Sequence, residues 1–359
     1  MSTLRVFRSK KKNCYNIPGF QGLKVLLRAY FYYGNYDSNS SPPAFDLFFD
    51  GNKWATVQTM NDIWLFLDII YVTKGENISV CLAQINPKQF PFISALEVCS
   101  LDSNMYNQID SSHALILNQR FAYGSSTLIR YPVDPYDRYW NIFSSNGLVS
   151  VSNSASSVDV NQTKDEVPSA VMSNAVATLS TSPNFFVDTT ALPTTQEVPI
   201  YLNMYFTEVQ VLNPSLDLRR FNVMVDNEVI DVVNPAYQTA LETTYANITA
   251  SSKTRIYLAA TSDSTLLPLI SGLEFFVVTN PLSNSTTDTV DVEGLTSLQE
   301  GFPVLKEWSG DPCIPAEYPW DWVNCSNETT PRITSLLLSG YNLNGLLPNF
   351  TSLDALQTM

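Results

Sequence analysis

An all-β chain, two β-sandwiches in tandem followed by a disulfide-capped leucine-rich-repeat start, is the fold this sequence predicts, and three observations predict it. The first is an internal duplication. Leu27-Arg-Ala-Tyr-Phe31 returns as Leu202-Asn-Met-Tyr-Phe206, and Phe45-Asp-Leu-Phe-Phe-Asp50 as Phe221-Asn-Val-Met-Val-Asp226. Val80-Cys-Leu-Ala83 returns as Ile256-Tyr-Leu-Ala259, and Pro91-Phe-Ile-Ser-Ala-Leu-Glu97 as Pro268-Leu-Ile-Ser-Gly-Leu-Glu274, each 175 to 177 residues further on. A near-constant offset over several segments marks two homologous units. The second is strand chemistry: runs such as Phe221 to Val225 and Leu273 to Val277 are rich in Val, Phe and Leu and lie between Asn, Gly and Pro, the pattern of short sandwich strands. The third is a change of character after residue 300, where Trp308-Ser-Gly-Asp-Pro-Cys313 precedes Trp320, Trp322, Cys325 and one leucine-rich repeat.

Taken in order, residues 1–133 form the first sandwich and 134–281 the second, 282–300 a linker, 301–331 the cap and 332–359 the first repeat. If the second copy begins near Tyr136, its opening strands have no counterpart in the first. The first sandwich is therefore expected to start part-way through, with an exposed sheet edge and lower stability. In the repeat, Ile333, Leu336, Leu338, Leu343, Gly345, Leu347 and Pro348 fit a short strand with inward apolar side chains and a Leu-Pro turn. A lone repeat cannot close its own core, so the chain reads as a piece of something longer.

With 45% apolar and 12% aromatic residues the chain can fill more than one core. A formal net charge of -14 excludes nucleic acid as a partner, because phosphates would be repelled. Eight sequons, at Asn39, Asn77, Asn161, Asn247, Asn284, Asn324, Asn327 and Asn349, point to the secretory route. The N-terminus lacks the apolar core of a signal peptide, and the longest apolar stretch, Ile63 to Val72, carries Asp68 and is too short for a membrane span. Cys313 and Cys325 bracket a Pro- and Trp-rich stretch that needs a staple and are expected to pair. Among Cys14, Cys81 and Cys99 no pairing is decided, and Cys99 is expected on a solvent face, opposite Leu96 and Val98.

Chemistry is poorly represented. His113 is the one histidine, so a catalytic triad could form only around it, and a loop histidine is the simpler reading. Phosphate-loop, zinc and calcium motifs do not occur, and neither metal nor cofactor is expected. A two-carboxylate glycosidase could use Asp46 and Asp50, but the second copy has Asn222 and Asp226 there, and turn and edge roles explain both. Recognition suits the composition better. Tyr30-Phe-Tyr-Tyr-Gly-Asn-Tyr-Asp37 is an aromatic run ending in hydroxyl-binding Asn35 and Asp37, as a sugar site would need. Alternation puts Phe31 and Tyr33 on one side and Tyr30 and Tyr32 on the other, so at least one pair belongs to a core. The second copy reads Phe206-Thr-Glu-Val-Gln210 and has lost the aromatics.

Asn13-Cys-Tyr15, Tyr33-Gly-Asn-Tyr-Asp37, Pro91 to Glu97, Tyr136-Asp-Arg-Tyr-Trp140, Pro168-Ser-Ala-Val-Met172, Phe221-Asn-Val223, Trp308 to Cys313 and the repeat occur in an order that resembles the ectodomain of plant malectin-like receptor kinases with leucine-rich repeats. The resemblance implies two malectin-like sandwiches at the outer face of a plasma membrane, with a membrane span and kinase that this chain does not contain. It implies Tyr32, Tyr33, Tyr36 and Asp37 as candidate ligand residues, by similarity to the glucose-oligosaccharide site of animal malectin. Cell-wall oligosaccharide, a secreted peptide and a co-receptor are the partners it implies. A truncated product that neither binds nor signals is the alternative, and a carbohydrate-active enzyme a more distant one.

Overall fold

The computed structural model describes residues 3–143, 147–153, 157–349 and 351–359. The chain is mostly β. Strands β1 (Arg5–Val6), β2 (Lys12–Pro18), β3 (Lys24–Tyr32), β4 (Ala44–Phe49), β5 (Asn52–Gln58), β6 (Trp64–Val72), β7 (Asn77–Gln84), β8 (Phe92–Ile93) and β9 (Ala95–Ser100) come first. Then follow β10 (Leu115–Tyr123), β11 (Asn141–Phe143), β12 (Leu148–Ser152), the short helix α1 (Ser169–Met172), β13 (Asn174–Thr178), β14 (Phe185–Phe186) and β15 (Val198–Phe206). After them come β16 (Phe221–Val225), β17 (Glu228–Val233), β18 (Leu241–Ala250), β19 (Ile256–Ala260), β20 (Leu269–Ile270) and β21 (Gly272–Val278). The C-terminal part holds α2 (Thr289–Gly301), β22 (Val323–Cys325) and β23 (Ile333–Leu336).

The recurring segments occupy equivalent places. Sheet order β9-β3-β6 repeats as β21-β15-β18, and β2-β7-β4-β5 as β14-β19-β16-β17. Period-two alternation sends Val25, Leu27, Ala29 and Phe31 of β3 into one core against Phe45, Leu47 and Phe49 of β4. Ile200, Leu202, Met204 and Phe206 of β15 enter another against Phe221 and Val223 of β16. Strand β10 joins the two halves. It pairs with β21 from Leu115↔Val278 to Ala122↔Gly272 and with β6 at Leu115↔Ile70 and Ile116↔Ile69, so one sheet runs β18-β15-β21-β10-β6-β3-β9. Its outer face is covered near the junction by a second layer that includes Met105, Tyr106, Trp140, Val171 and Met172.

The segment 282–300, expected to be a linker, contains most of α2 (Thr289–Gly301). Asp288 caps it by accepting from Val290 N, and its Leu295 and Leu298 pack with Phe302, Leu305, Trp308, Trp320, Trp322, Ile333 and Leu336. Cys313 is bonded to Cys325 within this cluster, and Cys14 is bonded to Cys81 across the β2–β7 ladder. Cys99 is the free cysteine and is half-buried rather than solvent-facing. Within residues 332–359, Ile333 and Leu336 point inward, whereas Leu347, expected inside, is 53% exposed.

The C-terminal part docks on the β2 side of the first half. Gly310 lies against the Cys14–Cys81 bond so closely that a Cβ would meet Cys14 Sγ at 2.5 Å, and its φ of +77° also favours glycine. Ser309 Oγ donates to Cys14 O at 2.8 Å, and Tyr318 OH to Asp46 Oδ2 at 3.2 Å. The buried Lys12 ammonium donates to Asp311 O and Ile314 O, both at 2.7 Å, and burial pushes its pKa down to about 8. Lys12→Met should leave both carbonyls without a charged donor and weaken the docking by about 2 kcal/mol. Limited proteolysis checks this: cleavage around 302–312 should come earlier in the variant, and an unchanged time course would refute the clamp.

Candidate ligand-binding face

The aromatic run Tyr30 to Asp37 leaves β3 at the end of the outer face. Gly34, at φ +51°, turns the chain there, and a Cβ on it would meet the Tyr32 ring at 2.8 Å. Tyr33 is fully buried in the core, where its hydroxyl donates to Asp37 and holds that carboxylate below its usual range. Tyr36 is half-buried, edge-on to Tyr33 at 5.4 Å and to Phe92 at 5.7 Å. Of the four residues named from the sequence, Tyr33, Tyr36 and Asp37 thus form one packed turn, and Tyr32 stands apart on the other face. Its ring stacks on Trp64 at 4.5 Å and 15°, and its hydroxyl reaches Asp62 at 3.4 Å.

Trp64 is the residue that sequence reasoning missed, because it sits in an apolar run that reads as core. The available signal was alternation, which places Trp64, Phe66 and Asp68 on one face of β6. Trp64 is 48% exposed, and Met60 and Ile63, which precede it in the chain, are exposed as well. The same face continues inward through Phe66, 5.3 Å from Tyr139, whose ring lies beneath the guanidinium groups of Arg28 at 3.9 Å and Arg130 at 4.3 Å.

Toward the junction the face becomes a buried ion ladder. Arg28 grips Asp68 with two bonds of 2.6 and 2.8 Å, and Asp68 Oδ2 also accepts from Arg120 at 3.0 Å. Arg120 Nε donates to Glu274 at 2.6 Å, and Glu274 accepts further from Tyr106 and Tyr205, each at 2.9 Å. Although burial opposes ionisation of Glu274, Arg120 and Arg138 more than offset it and hold its pKa below the ordinary value. Within Tyr136-Asp-Arg-Tyr-Trp140, Arg138 Nε and Trp140 Nε1 both donate to the buried Asp134, at 2.8 and 2.7 Å. The motif holds the second layer to the sheet. Asp165 and Glu242 lie beside the ladder with the opposite tendency: burial pushes them to about 6 and about 7, Asp165 further raised by Glu274 and Glu242 by Asp165.

Other candidate groups have structural partners. Asp46 accepts from Lys53 and Thr56, and Asp50 from Tyr71 OH at 2.8 Å and Ser79 N at 2.7 Å. Ser112 and Asp110 both approach the same nitrogen of His113, Nδ1, at 3.0 Å, so these neighbours form a turn and not a relay through both ring nitrogens. A cleft of about 450 Å³ between the first half and the C-terminal part is lined by Asp50, Tyr71, Lys74, Leu282 and Ile314. All eight sequon asparagines are exposed. Among the described residues no His/Cys/Asp/Glu group could hold a metal ion, and no helix is long and apolar enough to cross a membrane.

A probable leucine-rich-repeat receptor-like serine/threonine-protein kinase of Arabidopsis thaliana, At1g05700, is 34% identical over 367 residues, covering 99% of this chain and 42% of the relative. The Arabidopsis protein At1g24485 is 34% identical over 287 residues, 78% of this chain and 56% of its own length. The chain therefore spans about two-fifths of the receptor-kinase relative. Among solved structures, the plant peptide RALF23 complex with FER and LLG2 matches with a TM-score of 0.61 at 15% identity, covering 77% of this chain and 83% of the other. The Arabidopsis ANXUR1 extracellular domain matches with 0.61 at 16%, with the same coverage. These likenesses show a shared fold. The model of the malectin-like domain matches residues 1–278, and the chain belongs to the malectin-like domain family.

Proposed function

We propose that this chain is the noncatalytic, extracellular recognition part of a receptor-like kinase, and that it binds a polypeptide partner, a secreted peptide or a co-receptor, at the cell surface. Its parts in this reading are two malectin-like sandwiches (1–133 and 134–281), the connection 282–300, the cap 301–331 and a first leucine-rich repeat (332–359), with glycans on the exposed sequons. The observation that carries the reading is the outer face at the end of β3 and β6, where Tyr32 stacks on the exposed Trp64 outside both cores. The relatives' names as receptor-like kinases and the solved neighbour that holds a peptide and a second protein support it. A net charge of -14 favours a basic partner.

One observation favours a second reading. Near-parallel aromatic rings such as Tyr32 and Trp64 suit the C–H face of a sugar, so a cell-wall oligosaccharide is the alternative ligand. Binding titrations of secreted, glycosylated chain at low and high salt separate the two, because a basic peptide should bind more weakly as salt rises and a neutral glycan should barely respond. Tyr32→Ala and Trp64→Ala should each weaken the ligand that binds here by about tenfold, the loss of one aromatic anchor. Unchanged affinity in both variants would remove this face from the function.

A further inference from the structure

The long sheet ends at β9, and the chain carries its own template for what that edge accepts. Strands β9 and β21 are copies, Ala95-Leu-Glu97 matching Gly272-Leu-Glu274. β21 has β15 on one side and β10 on the other, whereas β9 has β3 on one side and, among the described residues, no strand on the other. Leu101 N donates to Lys24 O at 2.8 Å. Alternation along the β3–β9 register from that pair turns the backbone groups of Leu96, Val98 and Ser100 away from β3. Unpaired groups in such a row are a template for another strand.

The side chains add a charge requirement. In the second copy Glu274 faces Arg120 directly across the β10–β21 ladder, with Nε to Oε1 at 2.6 Å. In the first copy Glu97 faces Arg28 across β3, but that guanidinium is committed to Asp68 and to Asp137 O at 2.7 Å, and stays 3.8 Å from Glu97. Glu97 accepts from Tyr30 OH at 3.0 Å and remains 37% exposed on its side chain. The acid is thus in place on the open edge, where its one cation, Arg28 at 3.8 Å, is shared with Asp68 and Asp137, and among the described residues no strand on the open side brings an arginine as β10 brings Arg120.

We infer that β9 is a docking edge for an extended, basic segment of a partner polypeptide, which pairs antiparallel with Ala95–Ser100 and sets an arginine against Glu97 as β10 sets Arg120 against Glu274. This deepens, and rests on, the polypeptide-recognition reading above. Main-chain bonds supply affinity, and the charged pair fixes the register of a strand that could otherwise slip. Edge and aromatic face are continuous, because Tyr30 joins Glu97 to Tyr139 through its hydroxyl.

A labelled peptide with the sequence of residues 115–123, the chain's own β10, tests this by fluorescence anisotropy against the whole glycosylated chain. Ser100→Pro removes an outward donor at an exposed site without touching the bonds to β3, and edge strands tolerate proline. Glu97→Gln removes the charge and keeps the shape. Peptide binding should weaken about tenfold in each variant and equally when the peptide's own arginine becomes alanine, the worth of a charge-assisted bond. No binding to the unmodified chain, or equal binding to both variants, would overturn the inference. So would self-association abolished by Ser100→Pro, which would give the edge to a second copy. A peptide or co-receptor bound through Tyr32 and Trp64 but indifferent to Ser100→Pro would leave the recognition reading standing and remove β9 from it.

Discussion

Arg120→Met should destabilise the protein by about 3–5 kcal/mol, the range for breaking a buried ion pair from one side. Arg120 is fully buried on the strand that joins the two halves of the sheet, between Asp68 of β6 and Glu274 of β21. Methionine fills similar volume, so packing is largely kept. What changes is charge: two carboxylates from different halves would share a dry junction with one cation fewer. Arg28 still neutralises Asp68, so the larger part of the cost falls on Glu274. Urea unfolding followed by tryptophan fluorescence measures the loss, and division of one transition into two would show that the junction couples the halves. The companion Arg120→Met/Glu274→Gln should recover much of the stability, because no orphaned charge remains. A loss under about 1 kcal/mol in the single variant would mean that water reaches the ladder and relieves it.

The strands could be read from the residues because each copy obeys a period of two and the constant offset ties the copies together. Alternation separated Phe31 and Tyr33 from Tyr30 and Tyr32 without saying which pair is core; Phe31 and Tyr33 enter the sandwich core, while Tyr30, also buried, lies on the other face. The role of Tyr136 to Trp140 was not legible, because Arg138 and Trp140 act on Asp134, on Tyr106 and on a second layer that no local period announces. α2 was hidden for a different reason. Its Thr, Ser and Gly content reads as a connector, yet Gly294 is there because a Cβ would meet Ser352 Oγ at 2.6 Å, and tertiary packing holds the helix. Trp64 was obscured by its apolar neighbours. Arg120 carried no local signal at all, since its partners lie 52 residues before it and 154 after it in the chain.

Stability should fall as pH rises from about 5 to about 7.5, the reverse of a protein dominated by salt-bridged carboxylates. Asp165 rises from 3.8 to about 6 and Glu242 from 4.5 to about 7 on folding, first through burial. Between the unfolded and folded values the native state holds protons that the unfolded chain has released. Stability is then fully present below about pH 4, as far as these two groups decide it, and is lost as pH passes through 6 and 7. Glu274 works the other way, since its pKa is lowered: its contribution is present above 4.5 and is lost on further acidification. The optimum should therefore lie in mildly acid solution, with a cost of about 2 kcal/mol on going to pH 7.5 once the exposure of Glu242 and the mutual coupling are discounted. The geometry supplies a reason for the proton. Asn203 Oδ1 is buried without a partner while Nδ2 of the same amide donates to Asp165 Oδ2, and a protonated Asp165 could donate to that oxygen once the amide turned. Calorimetric melting at pH 5.5 and 7.5 measures the slope, and Asp165→Asn, which cannot titrate, should flatten about half of it, the rest belonging to Glu242, which rises first through its own burial. A midpoint that rises toward pH 7.5 in the unmodified protein would show that Asp165 and Glu242 are ionised in the fold and that their charges are satisfied from elsewhere.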